Sequence, residues 1–160
     1  MLTYTFAWSL HPRLRSFAPV ETLRDLDTVL GAVRAASAAA GMPLQVSIWS
    51  GDWSGNEPLP EPFVQAVVGH PERGALIWIE GGVIEVGVDR RLDVWPEMLA
   101  YEREAGTEEM DGEWTRITPD GVRDALAELV TTGRRPTVVA WVDPFDDEDR
   151  SHGAKHSTAG

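Results

Sequence analysis

Carboxylates are the commonest reactive groups in this chain, and they crowd one window. From Glu80 to Glu113 there are eleven acids against Arg90, Arg91 and Arg103, a balance of −8 over 34 residues. Paired carboxylates do general acid and base chemistry when burial keeps one of them protonated, and nothing in the sequence marks a pair such as Glu108-Glu109 as buried. Metal chemistry fares no better. His11 and His70 each precede a proline in a loop, and His152 and His156 lie in a polar C-terminal stretch, where with Asp146, Asp147 and Asp149 they would hold a divalent ion only weakly. Asp52, Asn56 and Glu57 lack the spacing of a calcium loop. With no cysteine, thiolate zinc sites, thiol nucleophiles and disulfides are excluded. The segment GGVIEVG opens no helix and so is no phosphate loop, and Ser54 lacks the frame of a nucleophile elbow. No catalytic residue, metal or cofactor is predicted.

The tryptophans point instead to recognition. There are seven, and Trp78, Trp95 and Trp114 lie in or beside the acidic window. In LIWIEGGVIEVGV, Leu76 to Val88, Gly81-Gly82 supplies the positive φ angles of a two-residue hairpin turn, which sets Glu80 opposite Val83, Trp78 opposite Glu85 and Ile79 opposite Ile84. One surface then carries Ile77, Ile79, Ile84, Val86 and Val88 and reads as core. The other places Trp78 between Glu80 and Glu85 and reads as neither core nor ordinary solvent face. Aromatic anchors among carboxylates suit a basic protein partner, since charge speeds encounter and the rings supply holding energy. The predicted contact set is Trp78, Glu80, Glu85, Trp95, Glu102, Glu104, Glu108, Glu109, Asp111 and Trp114.

The elements that must position these residues are legible in the periodicity. Leu2 to Ser9 alternates as a strand, followed by a loop with His11-Pro12 and Pro19. Thr22 with Asp25 forms a capping box ahead of a helical stripe, Leu23, Leu26, Leu30 and Val33, that Gly41 and Pro43 stop. Strands are expected from Leu44, over Phe63 to Val68, Ala75 to Glu80 and Val83 to Val88, with WSGDWSG as a turn carrying two anchoring tryptophans. Arg91 to Tyr101 reads as strand or irregular. Thr118 caps a second helix with Pro119 at its first position and Gly133 at its end. Thr137 to Val142, apolar on both faces, reads as an interior strand. The fold class is α+β, a mainly antiparallel sheet with two helices packed on one face.

The 160 residues fit one domain over residues 1–143. Residues 144–160 are polar, without periodicity, and expected to form a disordered tail. Net charge is −12, which opposes direct binding to nucleic acid or to an anionic membrane. With no membrane span and no signal-peptide pattern, a cytoplasmic location is expected.

The segment Ile117 to Asp143 resembles the carboxy-terminal part of the immunity protein family numbered one of bacterial polymorphic toxin systems. The matching phrases are Val122-Arg123-Asp124-Ala125, Thr132-Gly133, Arg135-Pro136 and Trp141; Ala140 departs from the family's acid before the last tryptophan. The resemblance implies a non-enzymatic cytoplasmic inhibitor that binds a cognate toxin, often a nucleic-acid deaminase or nuclease. One lysine against thirteen arginines fits a GC-rich, actinobacterial genome. The expected mechanism is occlusion of the toxin's basic substrate-binding surface by a chain that is monomeric before binding. The rivals are a carboxylate enzyme with a divalent metal at Asp52 to Glu57, and a regulatory subunit of a permanent complex.

Overall fold

The computed structural model describes residues 2–11 and 14–146; most of the expected tail lies outside them. Strands β1 (Tyr4–His11), β2 (Leu14–Val20), β3 (Leu44–Ser50), β4 (Phe63–Val68), β5 (Ala75–Glu80), β6 (Val83–Val88) and β9 (Ala140–Val142) form a sheet in the order β2-β1-β3-β4-β5-β6-β9. Every neighbouring pair along that path is antiparallel. Two further strands, β7 (Leu99–Arg103) and β8 (Gly106–Met110), form a hairpin. It joins β3 through a single parallel bridge, Leu44 to Glu102, and the Glu102 amide donates to the Pro43 carbonyl at 2.8 Å.

Helix α1 (Leu23–Ala40) starts where the sequence places it. Thr22 Oγ1 accepts from Asp25 N and Asp25 Oδ2 accepts from Thr22 N, both at 3.1 Å, and Gly41 ends the helix at φ 70°. Helix α2 (Pro119–Thr132) begins with Thr118 Oγ1 accepting from Gly121 N at 3.0 Å and ends at Gly133, φ 67°. Each side-chain cap contributes about 1 kcal/mol. The buried stripes of both helices join the same face of the sheet. Leu26, Leu30, Leu126 and Leu129 meet Phe6, Val46, Ala66 and Leu76 in one core.

The opposite face has a core of its own. Leu99, Tyr101 and Met110 of the β7–β8 hairpin lie on Val67, Ala75 and Ile77, with Trp114 of a 3-10 turn at Gly112–Thr115 packed at the margin. Strand β5 is therefore covered on both sides, and its first four residues are all buried. The β5–β6 register is the expected one, Glu80 to Val83, Trp78 to Glu85 and Ile79 to Ile84, and Gly81 and Gly82 turn at φ 60° and 76°.

Two expectations are corrected. The segment after β1, expected to be a loop, is the edge strand β2, and Pro19 sits within it, where an edge strand tolerates the missing N–H. The segment expected to be an interior strand is reduced to Ala140–Val142 at the opposite edge of the main sheet path, paired with β6, while Val138 is 59% exposed. Val139 and Trp141 pack against the main core there, and β9 pairs with one strand rather than two.

Candidate interaction surface

Trp78, the centre of the expected contact set, is a core residue. Its ring is 6% exposed and lies on the helix-covered face. Its Nε1–H donates to Glu80 Oε2 at 3.0 Å, and its ring stands edge-on to Trp141 at 5.9 Å. Glu85, half-buried, accepts from Arg135 Nη1 at 2.9 Å. That guanidinium lies 4.6 Å from the Trp141 ring centroid and 5.8 Å from that of Trp78. The arginine's hydrogen bond, and its charge, hold the Glu85 carboxyl below the usual carboxylate range. So the tryptophan between two acids belongs to a clamp that fastens the C-terminal strand to β6. Glu128 secures the same segment by accepting from Thr137 N, Thr137 Oγ1 and Val138 N at 2.9, 2.6 and 3.1 Å. A ring so enclosed presents no anchor to a partner.

Trp95 is half-buried between Arg73, whose guanidinium is 4.5 Å from its ring, and the His70 ring at 6.0 Å. Trp114 is half-buried against the second core, edge-on to Phe145 at 5.9 Å. Both keep partial access to solvent.

The remaining acids share one hairpin but not one face of it: Glu108 stands opposite core-facing Tyr101, and Glu102 and Glu109 lie on the other side. Glu102, Glu104, Glu108 and Glu109 all belong to the β7–β8 hairpin, and Asp111 comes directly after it. Except for half-buried Glu102, all are exposed. Arg103 Nη2 reaches Glu108 at 3.2 Å, Thr107 Oγ1 donates to Glu102 at 3.2 Å, and Arg15 of β2 pairs with Glu104. Exposed pairs of this kind contribute little net stability and are screened by salt. Glu80 stands apart at the end of β5, beside the turn into β6.

Arg15 also leads to residues outside the contact set expected from sequence. Its guanidinium lies 6.0 Å from the Trp53 ring, which meets Trp49 edge-on at 5.3 Å, and Trp49 meets Phe17 at 6.5 Å. Trp53 Nε1–H donates to the Glu57 carbonyl at 2.6 Å, which fixes the loop after β3. These groups, with Thr5 and Asp52, line an open hollow of about 390 Å³. Phe17 is 51% exposed and Trp53 half-buried, so aromatic surface flanks the acidic hairpin. The repeated Trp-Ser-Gly phrase is the one local signal for this hollow; it carries no sign of β2, which brings Arg15 and Phe17 alongside.

No group of three or more His, Asp or Glu side chains among the described residues is placed to hold a metal ion, including the loop from Asp52 to Glu57. No helix there is long and apolar enough to cross a membrane. The family model for immunity protein Imm1 matches residues 17–143, most of the chain. This chain belongs to the Imm1 immunity protein family. No curated protein matches it. The Imm1 match takes in most of β2, both helices, the acidic hairpin and the Arg135 clamp, so it extends well beyond the segment from Ile117 to Asp143 that carries the resemblance in sequence.

Proposed function

We propose that this chain is a cytoplasmic, non-enzymatic inhibitor that binds one cognate toxin domain of deaminase or nuclease type and covers its substrate-binding surface. The chain is a monomer until it meets that toxin. A protein that acts on nucleic acid carries a basic groove for the phosphate backbone. The acidic hairpin, Glu102 to Asp111, supplies the complementary charge, and Phe17, Trp53, Trp95 and Trp114 supply adjoining aromatic surface. Carboxylates accelerate encounter, while desolvated rings account for most of the lifetime of the complex.

The observation that carries this reading is the collection of five carboxylates on and directly after one hairpin, tied by Arg15 to the aromatic hollow. The experiment is affinity capture on the full chain from cells that express the toxin repertoire, with mass-spectrometric identification after low-salt and high-salt washes. A single basic nucleic-acid-modifying domain, retained in equal amount and lost at high salt, is the expected result. Recovery of only a salt-insensitive, permanently associated subunit would reverse the reading in favour of a structural role.

A further inference from the structure

One cavity runs against the charge of the molecule. It has a volume of about 290 Å³, and its lining contains no carboxylate. Arg34 of α1, His70 and Arg73 of the β4–β5 loop, and Arg123 of α2 converge on it above apolar side chains that include Leu30 and Val122. In a chain of −12, three arginines around one space require a reason.

The charges are unequally compensated. Arg123 is held by Asp27 through two hydrogen bonds, Nε to Oδ1 at 3.1 Å and Nη2 to Oδ2 at 3.2 Å. Neither Arg34 nor Arg73 comes within salt-bridge distance of a carboxylate among the described residues, although Asp27, the partner of Arg123, also feels the charge of Arg34. Arg73 is stacked on Trp95, and its Nη1 donates to the Glu72 carbonyl at 3.3 Å. Its Nε, however, is buried and has no hydrogen-bond partner. A buried guanidinium N–H left without an acceptor is costly, and Arg135 Nε, outside this cavity, stands in the same state. His70 Nδ1 accepts from the amides of Glu72 and Arg73, both at 3.0 Å, which leaves the ring proton on Nε2 as a further donor.

We propose that this cavity binds the phosphate group of a small molecule. Two guanidiniums outside any ion pair match the charge of a phosphate monoester, about −1.5 to −2 at neutral pH, better than that of a single carboxylate. The arginine fork also fits phosphate oxygens. The volume lies at the lower end of ligand-pocket sizes, about 300 Å³, and so takes a phosphate with a compact body. A nucleic-acid strand would meet the repulsive field of the whole chain, which a small dianion inside a locally basic cavity largely escapes. Arg73 and His70 of this site border Trp95 of the proposed toxin surface, but the site is argued from its own residues and does not depend on the toxin reading.

The test is titration of the full chain with inorganic phosphate against sodium chloride at matched ionic strength, followed by backbone amide shifts and thermal unfolding. Saturation in the millimolar range is expected for the bare anion, with the shifts centred on Gly69 to Arg73. Arg34→Gln and Arg73→Gln should each weaken binding about tenfold. Arg34 is exposed on α1, so its variant keeps the test valid even if the Arg73 variant fails to fold. A nucleoside monophosphate or glycerol phosphate binding at least as tightly as phosphate supports a small phosphoester. An equal response to acetate or chloride, no saturation, or undiminished binding by Arg34→Gln would overturn the proposal.

Discussion

Trp78 lies between Glu80 and Glu85, and its surroundings give the three residues one structural task. The ring fills the helix-side core, Glu80 takes its indole proton in a hydrogen bond, and Glu85 holds Arg135 over Trp141. Trp78→Ala should therefore lower stability by about 3–5 kcal/mol in urea unfolding, as emptied aromatic sites do, with toxin affinity of the folded protein unchanged. Glu85→Ala leaves Arg135, whose Nε is already buried without a partner, short of its acceptor, and should cost about 1–3 kcal/mol. Acid should loosen the same contacts. Glu85 is held low by Arg135, Glu128 by its hydrogen bond from Thr137, and Asp25 by the Glu21 amide ahead of its Thr22 bonds. A carboxyl with a depressed folded pKa binds its proton more readily unfolded. Its stabilisation is complete above the unfolded value, about 4, and is lost as pH falls toward the folded one. Thermal unfolding should thus show a nearly constant Tm from pH 7 to about pH 5 and a progressive fall below about pH 4.

At the scale of elements, the β7–β8 hairpin depends on the 3-10 turn that succeeds it. Gly112 lies against the Trp95 carbonyl so closely that a Cβ would collide with backbone. Gly112→Ala should displace this turn and the base of the hairpin, lowering stability by about 1–3 kcal/mol and toxin affinity with it, as calorimetry and binding on one sample would show. Some elements are legible in sequence because their signals are local. Thr22 with Asp25, Thr118-Pro119, Gly133 and Gly81-Gly82 each bring their own stop or start, and the structure has them as expected. Others are decided by distant neighbours. LRSFAPV becomes a strand because β1 pairs with it, despite Pro19. GTEEM has too little apolar alternation to announce β8, since Met110 alone turns into the second core while Thr107, Glu108 and Glu109 are exposed. The acids of the proposed contact surface can be read in sequence. Their assembly into a hairpin beside Phe17 and Trp53 cannot, because Arg15 and Glu104 are far apart along the chain.

At the scale of the whole molecule, the two sides of the sheet divide the labour. One carries both helices and the main core; the other carries a smaller core under the acidic hairpin, with the aromatic hollow beside it. The clamp residues Arg135 and Trp141 stabilise the frame, while the exposed carboxylates can vary with little cost to stability. The acidic hairpin is tested most directly by the dissociation constant for the cognate toxin domain as a function of salt. It is measured for the natural chain and for the variant Glu108→Lys, Glu109→Lys, Asp111→Lys, whose Tm should match because all three side chains are exposed. A steep salt dependence in the natural chain, with a weaker complex and a flatter slope in the variant, is the predicted result. Equal affinity and equal slope for the two proteins would contradict an electrostatic role for the hairpin.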